Sequence, residues 1–272
     1  MPRFRPTELS DLMKRIGASP KRRYSQNFLI DGNVIQKIVE LADIKPGDEV
    51  VEIGPGPGAL TEALLNRGAR VFAVEKDSVW ADELSGLQGD LQVINDDVLE
   101  CSLEKLVESW KTKDKVKVVA NLPYHITTPI LTKLALNAKL FSEIVVMVQD
   151  EVARRFTAEP GGKEYGSITV FLNFWADVFY GFKVKRGSFY PAPNVDSAMI
   201  KLVLKDKIPD VDAEKFFEMT RAAFNQRRKM LKVSLKSFLN DDVKIQYKEL
   251  LERRPETLSL DEFLSLFEKI AK

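Results

Sequence analysis

The stretch Asn121-Leu122-Pro123-Tyr124 sets a side-chain amide, two backbone carbonyls and a phenol ring at the end of an apolar run, Val118-Val119-Ala120. Together these groups can hold the amino group of a planar base. An aromatic amine is a poor nucleophile, because its lone pair is delocalised into the ring. Two acceptors on its N–H bonds, the Asn121 side-chain oxygen and the Leu122 carbonyl, draw the nitrogen toward tetrahedral geometry and free that pair. Pro123 fixes φ and stiffens the turn. Tyr124 offers a face for the base, and such stacking contributes about 1–3 kcal/mol. The same four residues also suit a plain strand-to-helix turn, where Asn and Pro are common.

A second constellation separates these readings. Glycines 54, 56 and 58 fall between an apolar run, Val50 to Ile53, and a helical pattern beginning at Ala59. Gly54 and Gly56 let the backbone approach a ligand, and the helix N-terminus behind them favours polar and anionic groups. An acid follows each of three runs: Glu52 beside the glycines, Glu75 at 21 residues after Gly54, and Asp97. Glu75 has the spacing to take both ribose hydroxyls, and Asp97 can accept from an adenine amino group. This pattern describes an adenosine ligand with a cationic tail. S-adenosylmethionine fits it better than NAD, because the loop carries no basic residue for a diphosphate. In-line alignment of a methyl donor with the amine then matters more than a strong base.

These residues need a scaffold of strands with their carboxyl ends on one side. The pattern gives strands at "EVVEI", "RVFAVE", "LQVI", "KVKVVA" and "EIVVMVQ", with helices at 33–42, from 59, from 78, after Pro129 and at "DEVARRF". Alternation of this kind predicts an α/β fold with a parallel sheet covered on both faces. "SITVFLNFWA" is apolar nearly all round and fits either a helix or a buried strand. "DVFYGFKV" and "SAMIKLVL" read as strands that could form a hairpin closing the sheet. Beyond "KDKIPD" the pattern turns helical, at 213–224, 228–239 and 260–270, with Ser259 and Glu262 as a capping box for the last. Residues 1–32 read as a basic arm, 1–206 as the domain that holds the methyl donor and 207–272 as a separate helical domain.

Composition bounds the function class. Lone residues Cys101 and His125 exclude a disulfide framework and argue against a metal site, and a reducing, cytoplasmic setting is expected. Glu8 and Asp11 argue against a transit peptide. The net charge of +1 hides two acid-free basic segments. One holds Lys14, Arg15, Lys21, Arg22 and Arg23; the other holds Arg221, Arg227, Arg228, Lys229, Lys232 and Lys236. Segregated charge of this kind suits a polyanion-binding face, although a solvated surface is the simpler alternative.

The runs "QNFL", "VEIGPGPGALT", "NLPYHITTPIL", "EVARRF", "EYGSITV", "FYPAPNVDSAMIKL", "FNQRRKML" and "RRPETLS" occur in order from residue 26 to 259. In them the chain resembles the ribosomal RNA adenine N6,N6-dimethyltransferases, and within that family its small-subunit branch. The resemblance implies a Rossmann-like class I methyltransferase domain with a small C-terminal α-helical domain. It implies dimethylation of N6 of two adjacent adenosines near the 3′ end of 16S rRNA in the small ribosomal subunit. It further implies donor contacts from Gln26, Asn27, Leu29, Glu52, Gly54, Gly56, Glu75, Asp97 and Asn121, and a target-amine pocket at Asn121 to Tyr124. Phe189 would stack on a flipped adenine. Arg22, Arg23, Arg221, Arg227, Arg228 and Lys229 would face RNA phosphates. A monomer without metal or membrane contact is expected.

Two positions depart from the family pattern. Ser25 stands where glycine is usual, which costs strain if the backbone needs a positive φ. His125 stands where asparagine is usual, and reads as a neutral rim residue more readily than as a general base. Competing readings are a large-subunit methyltransferase of the macrolide-resistance type, a non-catalytic RNA-binding assembly factor, and an NAD-dependent oxidoreductase. The third lacks an acid–base set, and the second would not need Glu75, Asp97, Asn121 and Tyr124 together.

Overall fold

The computed structural model describes residues 3, 5–110 and 115–270; the side chain of Arg22, and with it the expected RNA contact there, lies outside the described residues. The chain forms two compact units, residues 1–153 with 179–204, and residues 154–178 with 205–272.

The first unit opens with α1 (Pro6–Ile16), β1 (Phe28–Leu29), α2 (Gly32–Leu41), β2 (Glu49–Ile53), α3 (Ala59–Asn66), β3 (Arg70–Val74), α4 (Ser78–Leu84) and β4 (Leu91–Ile94). It continues through α5 (Leu103–Ser109), β5 (Val116–Asn121), α6 (Thr127–Leu136), β6 (Phe141–Gln149) and the start of α7 (Asp150–Phe156). After α8 (Ser167–Trp175) come β7 (Ala176–Val184), β8 (Phe189–Tyr190) and β9 (Ser197–Leu204). The helices α9 (Ala213–Asn225), α10 (Leu231–Ser234), α11 (Asp241–Gln246), α12 (Lys248–Leu251) and α13 (Leu260–Ile270) complete the chain.

Seven strands form one sheet in the order β4-β3-β2-β5-β6-β9-β7. Neighbours from β4 to β6 run parallel, and β9 runs antiparallel to β6 with Val146 opposite Ile200. The central strands are apolar on both faces because helices cover both. Val50, Val51, Val71, Phe72, Val118, Val119, Val145 and Val146 are all fully buried. The chain order reverses between β2 and β5. A crevice opens at such a switch point, outside the carboxyl ends of the strands, and ligands bind there. Gly54 and Asn121 lie at that reversal. The expected β7–β9 hairpin forms the far edge of the sheet.

The amino-terminal segment is not an extended arm. Its middle is helix α1, in which Leu9 and Leu12 are buried beside Phe28 and Trp80. Burying leucines contributes about 1.5–3 kcal/mol each. Lys14 and Arg15 lie in the last turn, where cations complement the helix dipole. The basic run that suggested an arm is therefore partly the cationic end of a docked helix.

In the second unit, "SITVFLNFWA" resolves as helix α8. Its Phe171, Phe174 and Trp175 pack in tilted and edge-on pairs against Phe216 and Phe217 of α9. This aromatic contact joins residues 154–178 to the carboxyl-terminal helices, a stretch that the sequence pattern groups with the strands before it. The boundary expected after 206 falls beside Lys205. The helix expected at 228–239 is shorter, with α10 followed by a 3-10 turn at Lys236–Phe238. The capping box at α13 forms in both directions: Ser259 N–H donates to Glu262 at 2.9 Å, and Glu262 N–H donates to the Ser259 hydroxyl at 3.2 Å.

Candidate active site

The glycine loop after β2 turns through three left-handed residues, Gly54 (φ 65°), Gly56 (φ 54°) and Gly58 (φ 86°). Gly56 is also tightly packed, since a Cβ there would press on the Phe28 ring at 3.0 Å. Its N–H donates to Glu75 Oε2 at 2.9 Å, while Asp77 N–H donates to Glu75 Oε1 at 2.8 Å. Glu75 thus ties the loop after β2 to the turn after β3. Burial pushes its carboxyl up, and the Asp77 and Gly56 amides oppose that shift.

Glu52 is 1% exposed, and its Oε2 has no hydrogen-bond partner among the described residues. Burial raises its carboxyl to about 8; the Thr61 hydroxyl lowers it in part and the nearby Glu75 adds to the rise. A carboxyl left incomplete in this way fits a ligand that brings a cation. At Asp97, burial pulls the carboxyl up but the Lys76 ammonium, 2.5 Å away, and the Leu99 amide outweigh it, so the net shift is downward.

Asn121 ends β5. Its Nδ2 donates to the Asn27 carbonyl at 3.0 Å, and its Oδ1 is buried with no partner among the described residues. Leaving such an acceptor unsatisfied costs about 1–3 kcal/mol, which a bound N–H donor recovers. The Tyr124 hydroxyl lies 2.5 Å from that of Ser197, the first residue of β9. Burial raises the Tyr124 phenol, partly offset by this bond.

One cavity of about 270 Å³ joins these groups. Every residue expected to contact the donor lines it: Gln26, Asn27, Leu29, Glu52, Gly54, Gly56, Glu75, Asp97 and Asn121. Leu122, Pro123, Tyr124 and His125 line it too, and His125 is exposed at the rim. The residues fit S-adenosylmethionine: a glycine loop at a helix start, a buried acid at the ribose position, and a lone acceptor beside them.

Phe189 is elsewhere. It is 2% exposed in the core with Leu29, Met147 and Met199, and is absent from the cavity lining. Strand alternation explains this, since Phe189 pairs with Leu29 while the next residue, Tyr190, is 47% exposed. Phe189 thus packs in the core here, and the stacking expected of it is left to experiment. Ser25 does adopt a left-handed conformation, at φ 49°.

Among the basic residues, Arg227 donates to the carbonyls of Lys163 and Tyr165, at 2.9 and 2.8 Å, and so holds a loop of its own unit. Arg221, Arg228 and Lys229 are exposed. Arg23 is exposed with its guanidinium 4.7 Å from the Tyr24 ring centre. Sequence reasoning missed Tyr24 and Lys76 in the cavity lining, and Asp77, which bonds Gln26 of that lining. Only the Asp77-Ser78 pair, an N-cap signal for α4, could have flagged one of them.

A parallel sheet with its switch point over a glycine loop, a buried acid ending the next strand and an Asn-Leu-Pro-Tyr turn on the same cavity defines a Rossmann-like methyltransferase. The sequence pattern of the family described as ribosomal RNA adenine dimethylase matches residues 17–272. A Ribosomal RNA small subunit methyltransferase A from Protochlamydia amoebophila is 50% identical, with 99% of this chain and 98% of the relative covered. A protein of the same name from Chlamydia felis is 48% identical, over 99% of this chain and 96% of its own length. Among solved structures, a dimethyladenosine transferase from Plasmodium falciparum aligns over 90% of this chain and 98% of its own, at 27% identity and a TM-score of 0.77. The 23S rRNA methyltransferase ErmE aligns over 90% of this chain and all of its own, at 26% identity and 0.69. The chain belongs to the ribosomal RNA adenine dimethylase family, and is an adenine-modifying RNA methyltransferase.

Proposed function

We propose that the protein uses S-adenosylmethionine to dimethylate N6 of two adjacent adenosines near the 3′ end of 16S rRNA, acting in the cytoplasm as a monomer during small-subunit assembly. The unpartnered, buried Asn121 Oδ1 beside the cavity carries this reading. S-adenosylmethionine supplies an electrophilic methyl on a sulfonium whose departure is already easy. Asn121 Oδ1 accepts one N–H of the target amine and the Leu122 carbonyl accepts the other. Tyr124, its ring steadied through Ser197, gives the base a face. Glu75 receives the ribose hydroxyls, Asp97 the adenine amino group, and Glu52 faces the cationic end. Exposed Arg23, Arg221, Arg228 and Lys229 supply phosphate contacts.

The small-subunit assignment draws on the names of the relatives that are 47–50% identical. The likeness to ErmE keeps the large-subunit reading as the alternative. The deciding experiment is methyl transfer from labelled S-adenosylmethionine to unmethylated small subunits, large subunits and naked RNA in parallel, with nucleoside analysis of the products. Dimethyladenosine from small subunits only is expected. Label on large subunits alone would transfer the enzyme to the other class of site, and donor binding without any transfer would favour a non-catalytic assembly factor.

A further inference from the structure

The Asn121 side chain is held through Nδ2 by the Asn27 carbonyl, at the end of a strap, residues 21–27, of which 23–27 line the cavity. At its carboxyl end the strap is fixed by pairing: Phe28 lies opposite Tyr190, and Leu29 opposite Phe189. Its other end has no strand pairing among the described residues and is gripped by the Asp77 side chain. Asp77 Oδ1 accepts from Lys21 Nζ at 2.8 Å, and Asp77 Oδ2 accepts from Gln26 Nε2 at 3.2 Å. Gln26 Oε1 in turn accepts from Lys21 N–H at 2.7 Å, closing a ring of three bonds. Asp77 is 3% exposed, while the Lys21 side chain is 34% exposed, so the ring is anchored on a buried carboxylate at the edge of solvent. Between the two anchors the chain passes through left-handed Ser25, whose carbonyl accepts from Asn27 Nδ2 at 3.0 Å.

We propose that Asp77 is a positioning residue for methyl transfer: by gripping Lys21 and Gln26 it sets the Asn27 carbonyl, and that carbonyl aims the Asn121 amide at the target amine. The inference rests on the reading of Asn121 as the target-amine acceptor. Asp77 touches neither donor nor base in this scheme. Its backbone N–H, however, bonds Glu75 Oε1. The ribose-binding acid and the amine-binding amide are therefore joined through Glu75, Asp77, Gln26, Asn27 and Asn121. A donor that firms Glu75 also firms the strap, and through it the acceptor geometry.

Asp77→Asn is the test, because asparagine caps helices as well as aspartate does and so spares α4. It puts an N–H₂ group against one of the two donors from the strap. Three quantities are read: single-turnover transfer to small subunits, donor affinity by calorimetry, and the side-chain amide NMR signal of Asn121. Transfer should fall about 10-fold or more, since small misplacements of reacting groups are costly. Donor affinity should fall too, because Gln26 and Asn27 line the same cavity, but by clearly less than transfer, since the glycine loop and Glu75 stay in place. The Asn121 signal should move. Lys21→Met, which leaves Asp77 and the cap intact, should show the same pattern more weakly, and decides the matter if Asp77→Asn does not fold. An unmoved Asn121 signal in a folded variant, or equal losses in transfer and donor affinity, would overturn the proposal. If the unaltered enzyme methylates no ribosomal substrate, the proposed function fails, and the Asn121 signal alone then decides whether the strap positions it.

Discussion

The Asn121 amide nitrogen donates to the Asn27 carbonyl at 3.0 Å, and this bond turns Oδ1 into a buried acceptor with no partner among the described residues. With Nδ2 committed, only Oδ1 remains to accept. Asn121→Ala removes the acceptor while leaving the glycine loop, Glu75 and Asp97 in place. Methyl transfer should fall by roughly 10²-fold or more while donor binding persists. Unchanged turnover in a labelled-methyl assay would remove the amine pocket from the account.

Glu75 joins Gly56 and Asp77 through its two oxygens, so it organises two turns beside the ribose site proposed for it. Glu75→Gln keeps the shape but replaces one acceptor oxygen with an N–H₂ group that faces a backbone N–H. Hydrogen bonds to charged groups contribute about 1.5–3 kcal/mol. Donor affinity should weaken by roughly 10- to 100-fold, read by calorimetry. An affinity equal to that of the unaltered protein would mean that the ribose lies elsewhere.

Glu52 makes stability depend on pH with a definite sign. Its folded value, about 8, lies above the unfolded 4.5. Between those values the native chain binds more protons than the unfolded chain, so stability falls as pH rises through that window, by at most about 1.4 kcal/mol per pH unit from this group. Glu52→Gln should flatten the melting temperature between pH 5 and pH 8. Donor binding near neutral pH should also release on the order of one proton in the unaltered protein, because a cation beside Glu52 favours its ionised form. Binding heats that do not vary with buffer ionisation enthalpy would mean that no cation reaches it.

Much of the site was legible because each signal was local. Glycines between strand and helix, acids ending strands and an Asn-Leu-Pro-Tyr turn all depend on neighbours in sequence, and all meet in one cavity. What stayed hidden depends on contacts across long separations. Helix α1 was masked by its cationic last turn, and its burial depends on Phe28 and Trp80. The grip of Asp77 on Lys21 spans 56 residues. The grouping of residues 154–178 with the last helices follows from aromatic packing that no periodicity reveals. Arg227 is an exposed cation whose bonds to the Lys163 and Tyr165 carbonyls, 64 and 62 residues away, no local pattern reveals.

Phe189 gives the sharpest contrast between a resemblance and a structure. A stacking face and a core residue make opposite predictions for two substitutions. Phe189→Leu keeps most of the volume and apolar surface, and such swaps in cores usually cost less than about 1.5 kcal/mol. Phe189→Ala opens a cavity beside Leu29, Met147 and Met199, and such losses run to about 3–5 kcal/mol. A core role predicts that Phe189→Leu melts within a few degrees of the unaltered protein and keeps most of its transfer rate, while Phe189→Ala is strongly destabilised. A stacking role predicts that leucine already abolishes most transfer, because an aliphatic side chain offers no π-face, while stability barely moves. Melting curves and single-turnover rates on both variants separate the two. A stable, inactive leucine variant would return Phe189 to the target base and require the β1–β8 pair to open when RNA binds.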